Sequence, residues 1–171
     1  QARAAADAMY GMHGFNKGVI GSCAVRIFEL NAAATGLNEK NAKANNIPCD
    51  SVYTIAMDKV GLMPNSSPIH FKLVFEVPTG RILGAQAIGK GNVDKRIDVI
   101  ATLITMNGTL EDLKELELCY SPLFGTARDV VNLAALVGLN ILHGVFKQIH
   151  VSEVRNLVES GACIIDVRTH E

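Results

Sequence analysis

Phe71-Lys72-Leu73-Val74-Phe75-Glu76-Val77, then Pro78-Thr79-Gly80, then Arg81-Ile82-Leu83-Gly84-Ala85-Gln86-Ala87-Ile88 is the stretch that decides the fold. Two runs rich in branched and aromatic residues flank a Pro-x-Gly triplet that reverses the chain, so 70–90 reads as an antiparallel hairpin. A lone hairpin is marginal in water and needs further strands and a covering layer. The flanking sequence supplies both. Val93, Ile97, Ile100, Leu103 and Ile104 recur at helical spacing, and Asp94, Lys95, Arg96 and Asp98 read as the opposite, polar side of a long amphipathic helix. A shorter helix is expected over 110–116. Thr126-x-x-Asp129 resembles a capping box that opens an apolar helix reaching about Leu142.

Upstream, 22–29 and 31–35 read as two short extended segments stopped by Gly36, and 51–57 as a third. Between them Gly36-Leu37-Asn38-Glu39-Lys40 opens a polar helix that runs to about Asn45 and stops before Pro48. Strands joined as hairpins, with no repeating β-α-β pattern, predict an α+β fold: an antiparallel sheet with helices on one face. Residues 1 to about 12 are Ala-rich and helical, ending at Gly11 and Gly14. At the other end 151–160 is amphipathic, and Gly161-Ala162-Cys163-Ile164-Ile165-Asp166-Val167-Arg168 reads as an apolar strand. The expected division is 1–15, a central domain over 16–143, and 144–171.

The bulk properties narrow the function. A length of 171 residues leaves room for one domain of about 100–150 residues with pieces of its neighbours. Hydrophobic residues at 49% and charged residues at 19% fit a globular chain with a real core. A net charge of -1 removes the case for nucleic acid, which needs a basic stripe. No apolar run reaches the roughly 18–20 residues of a membrane span; the longest, Val130–Leu142, is broken by Asn132, Gly138 and Asn140. Gln1-Ala2-Arg3-Ala4 has neither an initiator Met nor a signal-peptide pattern, and reads as a start in mid-protein. Cys23, Cys49, Cys119 and Cys163 form no C-x-x-C pair, which fits reduced thiols in a cytoplasmic protein, with no metal site and no disulfide frame.

Among side chains able to do chemistry, Tyr120 offers a phenol, a proton or hydrogen-bond donor at neutral pH. On spacing alone an ordinary loop tyrosine packed against Pro122 is the simpler reading. His70 at a strand start and His143 near a helix C-terminus read as structural. Gly89-Lys90-Gly91-Asn92 lacks P-loop spacing and reads as a strand-to-helix turn. Cys119 has no base or second thiol beside it in sequence and is expected to be buried packing.

Gly18-Val19-Ile20-Gly21-Ser22, Arg26-Ile27-Phe28-Glu29-Leu30 and Thr35-Gly36-Leu37-Asn38-Glu39 resemble the opening of an interface domain in a group of flavoenzymes. That group comprises coenzyme A disulfide reductase, NADH oxidase and NADH peroxidase, which are pyridine nucleotide-disulfide oxidoreductases. Arg81-Ile82-Leu83-Gly84-Ala85-Gln86 with Gly89 resembles its interface hairpin. Tyr120-Ser121-Pro122-Leu123-Phe124-Gly125, with Asp129 and Asn132, resembles its Tyr-Ala-Pro-Pro-Phe loop and closing helix. The likeness spans nearly all of 1–142. Gln1-Ala2-Arg3-Ala4-Ala5-Ala6-Asp7 is similar to the last helix of the flavin domain, and 151–171, with Asp166-Val167-Arg168, to the opening of a rhodanese domain.

The resemblance implies a dimerisation domain from a parent that uses FAD and NAD(P)H. A homodimer is implied, with coenzyme A or another thiol disulfide or persulfide as substrate. Tyr120 would reach the partner subunit's cysteine and flavin, and Ser121, Pro122, Leu123 and Phe124 would contact the flavin. Where coenzyme A disulfide reductases carry Gly-Tyr-Tyr-Pro, this sequence has Gly61-Leu62-Met63-Pro64. Gly61, Leu62 and Met63 would line the substrate site, but neither Leu62 nor Met63 donates a proton, which favours a related sulfur or oxygen acceptor. An NADH oxidase or peroxidase, or a non-catalytic oligomerisation module, is the alternative. Lacking the FAD- and NAD-binding folds, the chain is expected to bind no cofactor and to be inactive alone.

Overall fold

The computed structural model describes residues 2–12 and 18–167. Within them five strands make one sheet: β1 (Cys23–Ile27), β2 (Leu30–Gly36), β3 (Cys49–Met57), β4 (Pro68–Glu76) and β5 (Ile82–Gly89). The order is β1-β2-β5-β4-β3 and every neighbouring pair is antiparallel. The β4–β5 hairpin is therefore the middle of the sheet, with Phe71 opposite Ala87 and Leu73 opposite Ala85. Its turn closes as the Pro-Thr-Gly triplet predicts. The Glu76 N–H donates to the Arg81 carbonyl at 2.8 Å, and Gly80 takes a φ of 71°, a left-handed geometry suited to glycine.

Six helices complete the described residues: α1 (Ala2–Met9), α2 (Glu39–Ala44), α3 (Val93–Thr105), α4 (Leu110–Glu115), α5 (Val130–Leu142) and α6 (Val151–Glu159). Side chains alternate across a strand, so Ile69, Phe71, Leu73 and Phe75 of β4 all point to one side. There they are wholly buried with Ile97 and Ile100 of α3, Leu113 of α4 and Ala134 of α5. This is the α+β layer that the sequence predicts. Three helices stand outside it: α1 and α6 bury no residue, and the six-residue α2 lies on the opposite face, where Ala42 packs on Val74 and Leu83. The crossing there needs a bare backbone, since a Cβ on Gly84 would sit 2.1 Å from the Leu37 carbonyl oxygen.

The rest of that second face has no cover among the described residues. Tyr53 and Ile55 of β3 are 68% and 66% exposed, and Val25, Ile27 and Ile88 lie in the open beside them. Polar side chains border the bare area. Lys72 pairs with Glu39, whose carboxylate also accepts from the Ser51 hydroxyl at 2.7 Å, and the Lys72 ammonium lies 4.8 Å from the centre of the Tyr53 ring. Burial raises the Glu39 carboxyl, but hydrogen bonds from Lys72 and Ser51 and the Lys72 charge outweigh it and hold the pKa below its ordinary value. Burial likewise works against charged Lys72, and the Glu39 and Tyr53 hydrogen bonds win, so its pKa is raised. Past α5 the chain returns to β3: Gln148 Nε2 donates to the Ser51 carbonyl at 2.7 Å, and His150 Nε2 lies 3.0 Å from Asp50 Oδ1.

Three expectations are corrected. Arg96 is not on the polar side of α3 but 2% exposed, because it follows Val93 by three residues and precedes Ile100 by four, on the covered face. Thr126 does not cap α5; Asp129 does, its side chain accepting from the Val131 N–H, while the Thr126 hydroxyl donates to the Arg128 carbonyl. No strand forms over 162–167, where Ile164 and Ile165 are exposed and no β-strand ladder is present among the described residues. Gln1, Gly14, the division between 15 and 16, and Arg168 with the end of the expected strand lie outside the described residues.

Candidate functional site

The loop bearing Tyr120 hangs between two fixed posts. At one end α4 begins with a reciprocal cap, the Thr109 hydroxyl and Asp112 carboxylate each serving the other's backbone N–H. It finishes at Leu116, where the Asn132 amide donates to the Leu113 and Leu116 carbonyls at 3.0 and 3.1 Å. The Leu113 carbonyl also accepts from the Leu116 N–H at 3.4 Å, so the amide reinforces the end of the helix. At the other end Asp129 starts α5. Between the posts the Ser121 carbonyl accepts from the Phe124 and Gly125 N–H groups at 2.9 and 3.1 Å, a tight turn that throws the side chains outward. Tyr120 is 52% and Phe124 65% exposed, Leu123 and Pro122 are exposed, and Ser121 is half-buried. None of the aromatic residues of this loop packs into the chain's own core.

Tyr120 borders a groove of about 280 Å³ with Cys119, Arg128 and Asn132. Cys119 is exposed there, not buried as expected: Leu116 and Leu118 still pack on the core, and the chain turns to the surface after them. Gly61, Leu62 and Met63 belong to a different loop, between β3 and β4, and do not line that groove. Asp58 pinches this loop shut: its N–H donates to the Ser67 carbonyl at 2.9 Å and its Oδ1 accepts from the Ser67 N–H at 2.8 Å. Leu62 stands 90% exposed at the loop's tip, Gly61 is exposed beside it, and Met63 is half-buried.

The residue that sequence reasoning missed joins the two loops. Arg96 donates from Nε to both Asp129 carboxylate oxygens at 3.2 and 3.1 Å, and from Nη2 to Asp129 Oδ2 at 2.8 Å. Nη2 also reaches the Asp58 carbonyl at 2.8 Å, and Nη1 the Asn92 carbonyl at 3.0 Å. Gly91 makes room for this knot, since a Cβ there would come within 2.4 Å of Asp58 Oδ2. That accounts for Gly89-Lys90-Gly91-Asn92 without a phosphate; Lys90 pairs with Glu29 at 3.0 Å instead. Neither histidine singled out in the sequence is a partner of Arg96. His70 lies on the bare sheet face, His143 caps α5, and burial pushes the Cys49 thiol up. Among the described residues no group of three His, Cys, Asp or Glu side chains is placed to hold a metal ion.

Residues 22–130 match the family described as pyridine nucleotide-disulphide oxidoreductase, dimerisation domain. The chain belongs to this family. Coenzyme A disulfide reductase of Staphylococcus epidermidis is 33% identical over 117 residues, 68% of this chain and 26% of that protein. The solved structure of reduced Bacillus anthracis CoADR-RHD superposes with a TM-score of 0.88 at 41% identity, over 93% of this chain and 29% of that one. A NAD-dependent persulfide reductase from A. fulgidus gives 0.84 at 34% identity, over 90% of this chain and 29% of its own. The chain thus spans just over a quarter of the proteins it resembles, the part that mediates association in this oxidoreductase family.

Proposed function

We propose that this dimerisation domain pairs two subunits of a flavin-dependent NAD(P)H disulfide or persulfide reductase of the coenzyme A disulfide reductase kind. In the homodimer each Tyr120 loop completes the partner subunit's flavin and cysteine site. The observation that carries the reading is the outward presentation of Tyr120, Leu123 and Phe124 from a loop anchored at both ends. Two-fold pairing makes such sharing reciprocal. Residues 1–15 close the flavin domain in this reading, 16–143 form the interface domain, and 144–171 lead toward a rhodanese-like domain. The parent works in the cytoplasm, in keeping with four cysteines that are free and no described helix long and apolar enough to cross a membrane.

A sheet of antiparallel neighbours lacks the β-α-β turn whose helix N-terminus holds a dinucleotide's phosphates. FAD and NAD(P)H are therefore held by other parts of the parent, and Ser121, Pro122, Leu123 and Phe124 fit a contributing edge contact. Bound flavin supplies the hydride relay from the nicotinamide. Tyr120 contributes a hydroxyl that donates a proton or hydrogen bond to the sulfur that leaves, while Gly61, Leu62 and Met63 line the approach. Leu62, an exposed residue with no proton to give, favours as second reading an NADH oxidase or peroxidase.

In the full-length protein Tyr120→Phe is expected to lower turnover of coenzyme A disulfide or persulfide about 10²-fold, the low end for a lost general acid, with the dimer intact by light scattering. Wild-type turnover on both substrates would remove the reading.

A further inference from the structure

We propose that Arg96 is a positioning residue that holds the Tyr120 loop and the loop carrying Gly61, Leu62 and Met63 in one fixed relation. The inference rests on the reading above for why that relation matters, and on geometry for the rest. Asp58 precedes Gly61 by three residues and Asp129 follows Phe124 by five, so Arg96 grips the root of each loop. Its third partner, the Asn92 carbonyl, belongs to the turn into α3 and ties both roots to the central strand β5.

A planar guanidinium is suited to this and an ammonium is not. One rigid fork reaches a carboxylate through two nitrogens while a further N–H of the same group meets a carbonyl from another loop. Both members of the Arg96–Asp129 pair are buried. A buried ion pair commonly gives no more stability than apolar side chains of the same volume. What it does give is direction: three segments remote in sequence meet one group whose donors are fixed in angle. Asp129 adds a second constraint, because the same carboxylate starts α5, so the loop's exit and the helix axis move together.

The test is amide hydrogen exchange on the full-length flavoenzyme, comparing wild type, Arg96→Lys and Asp129→Asn. Both variants are expected to speed exchange about tenfold or more over 59–66 and over 117–128 together, with β4 and β5 unchanged. Acceleration in one loop only, or equally throughout the hairpin, would overturn the proposal. Should Arg96→Lys not fold, Asp129→Asn decides alone, since Asn caps a helix as well as Asp but puts a donor in place of one of the two carboxylate oxygens that Arg96 grips.

Stopped-flow kinetics then separates positioning from general weakening. Arg96→Lys is expected to lower kcat about tenfold while flavin reduction by NAD(P)H keeps its rate; equal loss in both steps counts against it. Failure of the Tyr120 reading shows separately, as an unaffected Tyr120→Phe enzyme whose two loops still loosen together when Arg96 is changed.

Discussion

Both faces of the sheet carry apolar side chains, yet Phe71, Leu73 and Phe75 on one are sealed under α3, α4 and α5 while Tyr53, Ile55 and Ile88 on the other lie open, among His70, Lys72 and Gln86, beyond the reach of α2. A strand with apolar side chains on both sides is the pattern of a sheet meant to be covered twice. The helix-covered face is complete within the chain. The other is half finished, and an apolar area of that kind marks a surface for association, in keeping with a dimerisation domain.

The contrast can be broken by experiment, beginning with the sealed face. Phe71→Ala is expected to cost about 3–5 kcal/mol by chemical denaturation, the usual loss for a fully buried aromatic side chain; a cost near zero would mean that this face is not the core. A smaller effect is expected at the border. Glu39 has a depressed pKa, so its share of stability is present above 4.5 and fades as pH falls through the folded value; Lys72 is raised, so its share is present below 10.5 and fades as pH climbs past that. Glu39→Gln should therefore remove up to about 1 kcal/mol between those limits and flatten the acid limb of a stability–pH curve. The smallest change belongs to the open face, where Ile55→Ala should shift the stability of a single protomer by less than about 0.5 kcal/mol. A loss like that of Phe71→Ala would show that Ile55 is covered in solution.

The hairpin was legible because two signals agree on it, alternation in the strands and a Pro-Thr-Gly reversal between them. The helix α3 is legible by spacing, but the charge of Arg96 points to solvent and so to the wrong side. The spacing of Val93, Arg96, Ile97 and Ile100 holds the correct answer. Composition misled in the opposite direction at 161–168, where apolar residues suggest a strand but a strand also needs a neighbour, which sequence periodicity does not supply. The exposure of Cys119 is hidden for a related reason: it goes with Asn132 closing α4 at Leu116, a contact between residues sixteen apart in sequence. The segment around Tyr120 came to notice through resemblance, and its outward presentation depends on Ser121 accepting two N–H groups, which no periodicity announces.

The return of the chain to β3 bears on the border of the sheet. β3 is nine residues long and forms one border of the sheet, the kind of border that recruits stray strands and seeds aggregates. At Ser51 that invitation is withdrawn: the N–H is occupied by the Asp50 side chain and the carbonyl by Gln148. A segment that looks like a mere connector thereby takes up, at this residue, a carbonyl that a further strand would need.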